Sequence, residues 1–280
     1  MKFVSTRYVE LDIVTLRDFY ASALGLRVQE TLCDQLNLCW PDLADKRVMG
    51  LGYALPYLSA LYTRAQQCFA FMPAAQGASP WPCTDKVATA LVFEEDLPLP
   101  DASIDCILLV HALEYTENAF ETLNEIWRVL APNGHLIVIV PNRSGFWARN
   151  GCTPFGYGEP YSRQQIARLF EKTNFISGPV QEIVHYTPSS GYASRLFSFL
   201  YEPFARHLLP YFGGLLICQA QKRVYQGLLV QRRQSRRIFM PALSPQTRES
   251  SLSYRLPFAF REEKLMASKS FFEAVILDKI

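Results

Sequence analysis

Residues 97–142, LPLPDASIDCILLVHALEYTENAFETLNEIWRVLAPNGHLIVIVPN, constrain the fold more than any other stretch of this chain. Asp105 precedes an apolar run, 106–110, short enough for a strand buried on both faces. Asn118 and Glu121 then form an N-cap with an acid three residues on, the pattern of a capping box. Phe120, Leu123, Trp127 and Leu130 follow at helical spacing and predict one apolar face. Pro132-Asn133-Gly134 predicts the end of that helix, and 135–140 a second buried strand closed by Pro141-Asn142. Strand, helix and strand in this order make one unit of an open α/β sheet, and such sheets take ligands at the carboxyl ends of their strands.

The same stretch resembles the class I S-adenosylmethionine-dependent methyltransferases, in the branch that contains ubiquinone-biosynthesis-type enzymes. The residues that carry the resemblance are Leu97-Pro98-Leu99, Asp101, Ser103-Ile104-Asp105, Leu113-Glu114-Tyr115, Glu125, Arg128-Val129-Leu130, Pro132-Asn133-Gly134 and Leu136. It implies an α/β fold: a three-layer, Rossmann-like sheet, mostly parallel, with an antiparallel hairpin at one edge. It also implies S-adenosyl-L-methionine as the cofactor.

The half of the chain that should hold that cofactor matches less well. Gly50 and Gly52 follow a short predicted strand, 47–49, where glycine permits a tight turn and a close approach of the backbone. The third glycine of the family pattern is Ala54, and the acid that usually stands two residues before the first glycine is Val48. The next predicted strand, 67–72, ends in Phe71-Met72-Pro73, so Met72 stands where the family's ribose-binding acid is expected. A third acid, for the adenine amine, falls at Phe93, with Glu94 and Glu95 directly after it and able to replace it by a one-residue shift. Hydrogen bonds to such charged acceptors contribute about 1.5–3 kcal/mol each. Trp81 or Phe93 can instead stack on adenine or fill core.

Methyl transfer from a sulfonium is an in-line displacement, so positioning and exclusion of water supply most of the rate. A general base is needed only where the acceptor loses a proton. His111, at the carboxyl end of the 106–110 strand, is the first candidate for that role and also for contact with the cofactor; the alternative is a histidine that merely caps the strand. Tyr115 and Glu114 come next, and Asn142 and Arg143 follow the second strand, where Asn142 serves equally well as a turn residue. Tyr157 and Tyr161 lie in the long aromatic connection 142–161 and read as acceptor-pocket walls or as core. His185, Tyr186 and Pro188 are weaker candidates, and His135, which begins a strand, reads as structural.

Residues 1–44 read as a helical segment broken at Gly25, 45–225 as the α/β domain, and 226–280 as a basic tail with a proline- and serine-rich linker at 241–253. Residues 162–174 predict a helix capped by Ser162 and faced by Ile166, Leu169 and Phe170, and 213–219 a last strand, with 191–211 an apolar insertion. The seven cysteines show no metal-ligand spacing, so no metal site is expected and the thiols read as reduced, in a cytoplasmic protein. No signal peptide and no spanning segment is expected. Residues 203–248 carry eight arginines and lysines and no acid; with the aromatics before them, 192–237 is a candidate for peripheral contact with anionic membranes, or a solvated basic face. RNA stays open as a ligand of that run, and DNA is not expected. The reading is a methyltransferase acting on a small-molecule or lipid-like acceptor. The alternative is a non-catalytic protein of the same fold serving as a binding or assembly partner. A different nucleotide ranks last, for want of a phosphate loop.

Overall fold

The computed structural model describes residues 11–83, 85–149, 151–188 and 213–224. Seven strands form one sheet: β1 (Arg47–Gly52), β2 (Gln67–Pro73), β3 (Thr89–Val92), β4 (Ile104–Val110), β5 (Leu130–Pro141), β6 (Phe175–Ile183) and β7 (Leu215–Lys222). Their order is β3-β2-β1-β4-β5-β7-β6. Strands β1 to β5 pair in parallel, and β7 runs antiparallel to both β5 and β6. The expected Rossmann-like sheet with an antiparallel edge hairpin is the fold observed. The central strands are apolar along nearly their whole length because both faces are covered, whereas edge strand β6 alternates between buried and exposed. The chain order reverses between β1 and β4, and the register sets Gly52 beside Val110 there. That is the topological switch point, where ligands of open α/β sheets bind.

Among the described residues five α-helices accompany the sheet: α1 (Ile13–Ala21), α2 (Ala23–Cys39), α3 (Leu55–Leu61), α4 (Ala119–Val129) and α5 (Arg163–Lys172). Helix α4 is capped as its sequence predicts, with Asn118 Oδ1 accepting from the amides of Phe120 and Glu121, a cap that contributes about 1 kcal/mol. Its buried stripe is Thr122, Leu123, Ile126 and Val129; of the expected face Leu123 and Leu130 are buried, Trp127 is half-buried and Phe120 is 44% exposed. The helix also ends before the proline, because Leu130 turns to an extended conformation and pairs with Ile104 as the first residue of β5. Lys222, the last residue of β7, is buried: its Nζ donates to the carbonyls of Trp127 and Leu130 at 2.7 and 2.6 Å and lies over the Trp127 ring. It thereby satisfies carbonyls that the end of α4 leaves open. Ser162 begins α5 with a complete capping box.

The best-matched motif residues form a clamp. Glu125 accepts from the Leu97 amide at 2.8 Å and pairs with Arg128 at 2.6 Å. Arg128 donates in addition to the carbonyls of Leu97 and Leu99 and to Asp101. These contacts tie the segment before β4 to helix α4. At the amino ends of the strands, Asp105 takes the Arg47 guanidinium at 2.9 Å and the Arg47 amide at 3.0 Å.

The N-terminal helices share the core of the sheet through Leu16, Tyr20, Val28, Leu32 and Leu36. The break between them falls at Ser22, which caps α2 through the Gly25 amide, rather than at Gly25 itself. Gly25 is nevertheless what allows the close turn, since a Cβ there would lie 2.0 Å from the Phe19 carbonyl oxygen. Among the described residues no helix is long and apolar enough to cross a membrane, and no three metal-ligating side chains are grouped. The 191–211 insertion, the tail 226–280 and the 192–237 basic run apart from 213–224 lie outside the described residues.

Candidate functional site

Strand β1 runs on through both glycines instead of ending at Met49. A Cβ on Gly50 would lie 2.6 Å from Leu58 Cδ1 and 2.7 Å from Ala54 Cβ, so its absence lets α3 pack onto the strand. Gly52 has φ +85°, and a Cβ on it would meet the Val110 carbonyl oxygen at 2.2 Å. Only glycine takes that conformation in that space. Ala54 follows as the buried N-cap residue of α3.

Across the switch point, His111 ends β4. It is fully buried and held at φ 52°, a left-handed conformation that costs a non-glycine residue on the order of 1–3 kcal/mol and gathers at functional sites. Gln76, from the loop after β2, donates from Nε2 to the His111 carbonyl at 2.7 Å and so bridges the ends of β2 and β4. The imidazole Nε2 lies 2.9 Å from the Tyr20 hydroxyl, which is 2.7 Å from the Tyr57 hydroxyl. On its other side, Nδ1 is 3.4 Å from Glu114 Oε1, an electrostatic contact longer than a well-formed hydrogen bond. Both side chains are fully enclosed. Burial pushes the Tyr20 and Tyr57 phenols well above their usual range, so both are protonated at neutral pH. Phe155 packs against the imidazole at 4.3 Å between centroids, and Tyr53 against Tyr20 at 5.5 Å.

The structure brings some of the expected residues to this centre and not others. Gly50, Gly52, Ala54 and His111 meet at the switch point. Met72 is there too, on β2, but fully buried, with its sulfur accepting from the Ser79 amide at 3.5 Å. Phe93 is 66% exposed in a tight bridge with Asp96, which removes it as a core residue. Glu94 is half-buried, and burial, with Glu95 and Glu117 nearby, raises its carboxyl; Glu95 accepts from the Thr116 hydroxyl. Trp81 fills core, its indole donating to Ser59. Tyr115 donates to the Pro154 carbonyl, and burial together with Glu114 raises its phenol.

Asn142 is engaged within the chain. Its amide donates to Gly213 O at 2.7 Å and its Oδ1 accepts from the Ser144 amide, a turn-building role that occupies both ends of the side chain. Tyr161 donates to the Leu113 carbonyl. His135 lies at the opposite, amino end of the sheet and pairs in register with Cys106. Tyr157 and Pro188 line a cavity of about 290 Å³ together with Thr15, Phe19, Thr153 and Pro154. Thr153 Oγ1 is buried without a hydrogen-bond partner among the described residues.

Three residues that sequence reasoning passed over shape the centre: Tyr20, Tyr53 and Gln76. Tyr20 falls within the predicted helical segment 1–44, and Tyr53 and Gln76 belong to none of the sequence patterns singled out. The one signal for Gln76 was its place just after β2, beside a glycine now seen at φ +88°. Gln76 is 6% exposed, and its Oε1 has no partner among the described residues. That orphaned oxygen offers, beside the missing acid at Met72, a hydrogen-bond acceptor of the kind ribose hydroxyls require. It suits part of the polarity of S-adenosylmethionine, while Tyr20 and His111 are buried against one another at the strand end.

Comparisons with known proteins bear on the fold and the matched domain. Residues 50–138 match the family described as "Methyltransferase domain", which implies S-adenosylmethionine as the cofactor. A Mycolicibacterium smegmatis protein described as "Probable S-adenosylmethionine-dependent methyltransferase" is 39% identical over 51 residues, which are 18% of this chain and 20% of that protein. The chain thus matches about a fifth of the length of that curated relative. Among solved structures, a SAM-dependent methyltransferase from Thermotoga maritima superposes with a TM-score of 0.52 at 16% identity, covering 75% of this chain and 96% of that one. The [4+2]-cyclase SpnF gives 0.51 at 19% identity, covering 69% and 80%. The chain therefore has the Rossmann-like methyltransferase fold, a scaffold that does not by itself fix the reaction.

Proposed function

We propose that the protein transfers a methyl group from S-adenosylmethionine to a small or lipid-associated acceptor. The observation that carries this reading is the switch point itself, where Gly52 at φ +85° abuts Val110 and His111. Gly50, Gly52, Gln76 and His111 are the residues we assign to the cofactor. When bound, it supplies an electrophilic methyl on a good leaving group. The protein's own part is to orient the acceptor, exclude water and take a proton where the acceptor has one to lose. The resemblance of residues 97–136 to the ubiquinone-biosynthesis-type branch supports a lipid-associated acceptor. A basic run through 192–237 suits contact with anionic lipid, which flotation with anionic vesicles at low and high salt tests; no flotation at low salt refutes it.

One observation favours a second reading, a non-catalytic binding partner. Tyr20, Tyr53 and Gln76 close over the strand ends, and the positions of two family acids are the apolar Val48 and Met72. Calorimetric titration with S-adenosylhomocysteine separates the two. Ligand at about a hundredfold its Kd should stabilise by roughly 2.7 kcal/mol, or about 5–10 °C in Tm for a domain of this size. No heat and no shift at millimolar ligand would retire the enzyme reading.

A further inference from the structure

The two edges of the sheet are built differently. On edge strand β6 the register shifts between Ser177 and Val180, around Gly178-Pro179, and Glu182 stands on the strand in an ion pair with Arg163. Such devices keep an edge from pairing with another chain. Edge strand β3 has none of them. It pairs with β2 on one side and, among the described residues, with no strand on the other. The run 87–93, VATALVF, is bounded by the bridged residues Val87 and Phe93 and holds no charge, proline or glycine. The carbonyls of Ala88 and Val92 accept from the amides of Ala70 and Ala74 on the β2 side. By alternation, Val87, Thr89, Leu91 and Phe93 turn their backbone groups outward. The side chains of Val87, Leu91 and Phe93 are 48%, 52% and 66% exposed. A run of this composition left open on an edge is a template for strand addition, so it calls for a cover.

We propose that a second copy of this chain covers it: two protomers pair through β3, antiparallel about a two-fold axis at Ala90, and join their sheets into one. Centring on Ala90 pairs the whole of 87–93, with Val87 of each copy opposite Phe93 of the other and Thr89 opposite Leu91. Val87 against Phe93 is a β-branched side chain on an aromatic ring, a favourable cross-strand pair. The Phe93 carbonyl takes the Asp96 amide and keeps its second lone pair for the new ladder. The charges at the two ends of the run fit the same register. Lys86 precedes the run and Glu94 follows it at equal distance from Ala90, so each Lys86 falls opposite the other copy's Glu94. A parallel strand of the same sequence would instead oppose like charges. Lys86 is exposed, and Glu94 has Glu95 and Glu117 as neighbours, so an opposing ammonium balances that acidic end. Glu95 itself is engaged by the Thr116 hydroxyl. Because both copies use the same edge and β6 is blunted, the assembly closes at two. The inference stands apart from the methyl-transfer reading, since neither Lys86 nor Leu91 is assigned to the cofactor.

Sedimentation velocity of the full chain, over a wide concentration range at low salt, reads the equilibrium. The expected result is a reversible dimer of twice the chain's mass that weakens as salt rises. Leu91→Lys, which sets a charge on the outward face of the strand, should leave monomer. K86E and E94K should each weaken dimerisation roughly tenfold or more, because each opposes like charges at both ends of the run. An equimolar mixture of K86E and E94K should form a heterodimer, and the double variant K86E/E94K should dimerise as wild type does, since both restore opposite charges in the antiparallel register. Thermal unfolding of each variant checks that it is folded, and K86E, at an exposed position outside the strand, keeps the test open if Leu91→Lys does not fold. Wild type that stays monomeric at low salt up to its highest soluble concentration overturns the inference, whether residues 225–280 cover the edge or nothing does. A dimer indifferent to Leu91→Lys and to K86E overturns it as well. Single variants that neither the mixture nor the double variant rescues overturn the register, and the inference with it.

Discussion

Replacing Arg128 with methionine separates architecture from chemistry in the most recognisable part of the sequence. The guanidinium reaches Glu125, Asp101 and the carbonyls of Leu97 and Leu99. Asp101 is 79% exposed and its share is small. Glu125 is 12% exposed, and without Arg128 it would keep only the Leu97 amide. Removing one partner of a buried ion pair costs about 3–5 kcal/mol. Arg128 itself is 34% exposed, and solvent screening brings the expected loss to about 2–4 kcal/mol. At about 2–4 °C per kcal/mol for a domain of this size, Tm should fall by roughly 5–15 °C. Methionine keeps the aliphatic stem, so the loss reports the polar contacts. Thermal and urea unfolding of R128M, E125Q and the double variant measure it, and the double variant should lose clearly less than the sum of the singles. Affinity for S-adenosylhomocysteine at a temperature where R128M is folded should match wild type. A loss below about 1 kcal/mol, or a folded R128M with weakened ligand binding, would refute the clamp.

Other expectations concern the site and its surroundings. Gly52→Ala should weaken S-adenosylhomocysteine binding at least tenfold by calorimetry, since its Cβ meets the Val110 carbonyl at φ +85°; unchanged affinity would remove this strand end from the site. Burial pushes the Asp105 carboxyl up, but hydrogen bonds from the Arg47 side chain and amide override it and hold it below the ordinary carboxylate range. Its contribution to stability is therefore complete above about pH 4 and is lost as pH falls through the depressed value. Urea midpoints of wild type and Asp105→Asn should converge as pH falls below that point, and parallel curves would contradict the assignment. Alkylation of the native protein should mark Cys83 and Cys152, which are exposed, before Cys106 and Cys218, whose thiols burial pushes up to about 12. An acceptor in the cavity should then protect Cys152, which lines it, and not Cys83, as peptide mass mapping can read.

The sheet was legible because its central strands are apolar runs bounded by turn residues, and α4 and α5 because their caps are explicit at Asn118 and Ser162. The facing of α4 was misread by one position: Phe120 and Trp127 fit the helical period as well as Ile126 and Val129 do, and only the sheet beneath decides between them. Gly50, Gly52 and His111 could be placed from a local pattern. Tyr20 and Gln76 could not, since each acts at a distance of 35 residues or more along the chain, through a single contact to His111. Asn142 was open between turn and site, and only the return of the chain at Gly213 supplied the carbonyl that fixes it as a turn. Motif strength also proved a mixed guide to location: Glu125 and Arg128 match the family closely and hold the scaffold, whereas the centre joins His111 and Glu114 from the well-matched stretch to Gly50, Gly52, Met72 and Gln76 from the poorly matched half.

A crystal structure of the protein grown with S-adenosylhomocysteine is the most direct test of the central claim. The account expects the ligand at the carboxyl ends of β1 and β4, over Gly52 and against Gln76 and His111. Ligand bound elsewhere, or a crevice that keeps Tyr20, Tyr53 and Gln76 closed over the strand ends at saturating ligand, would contradict it.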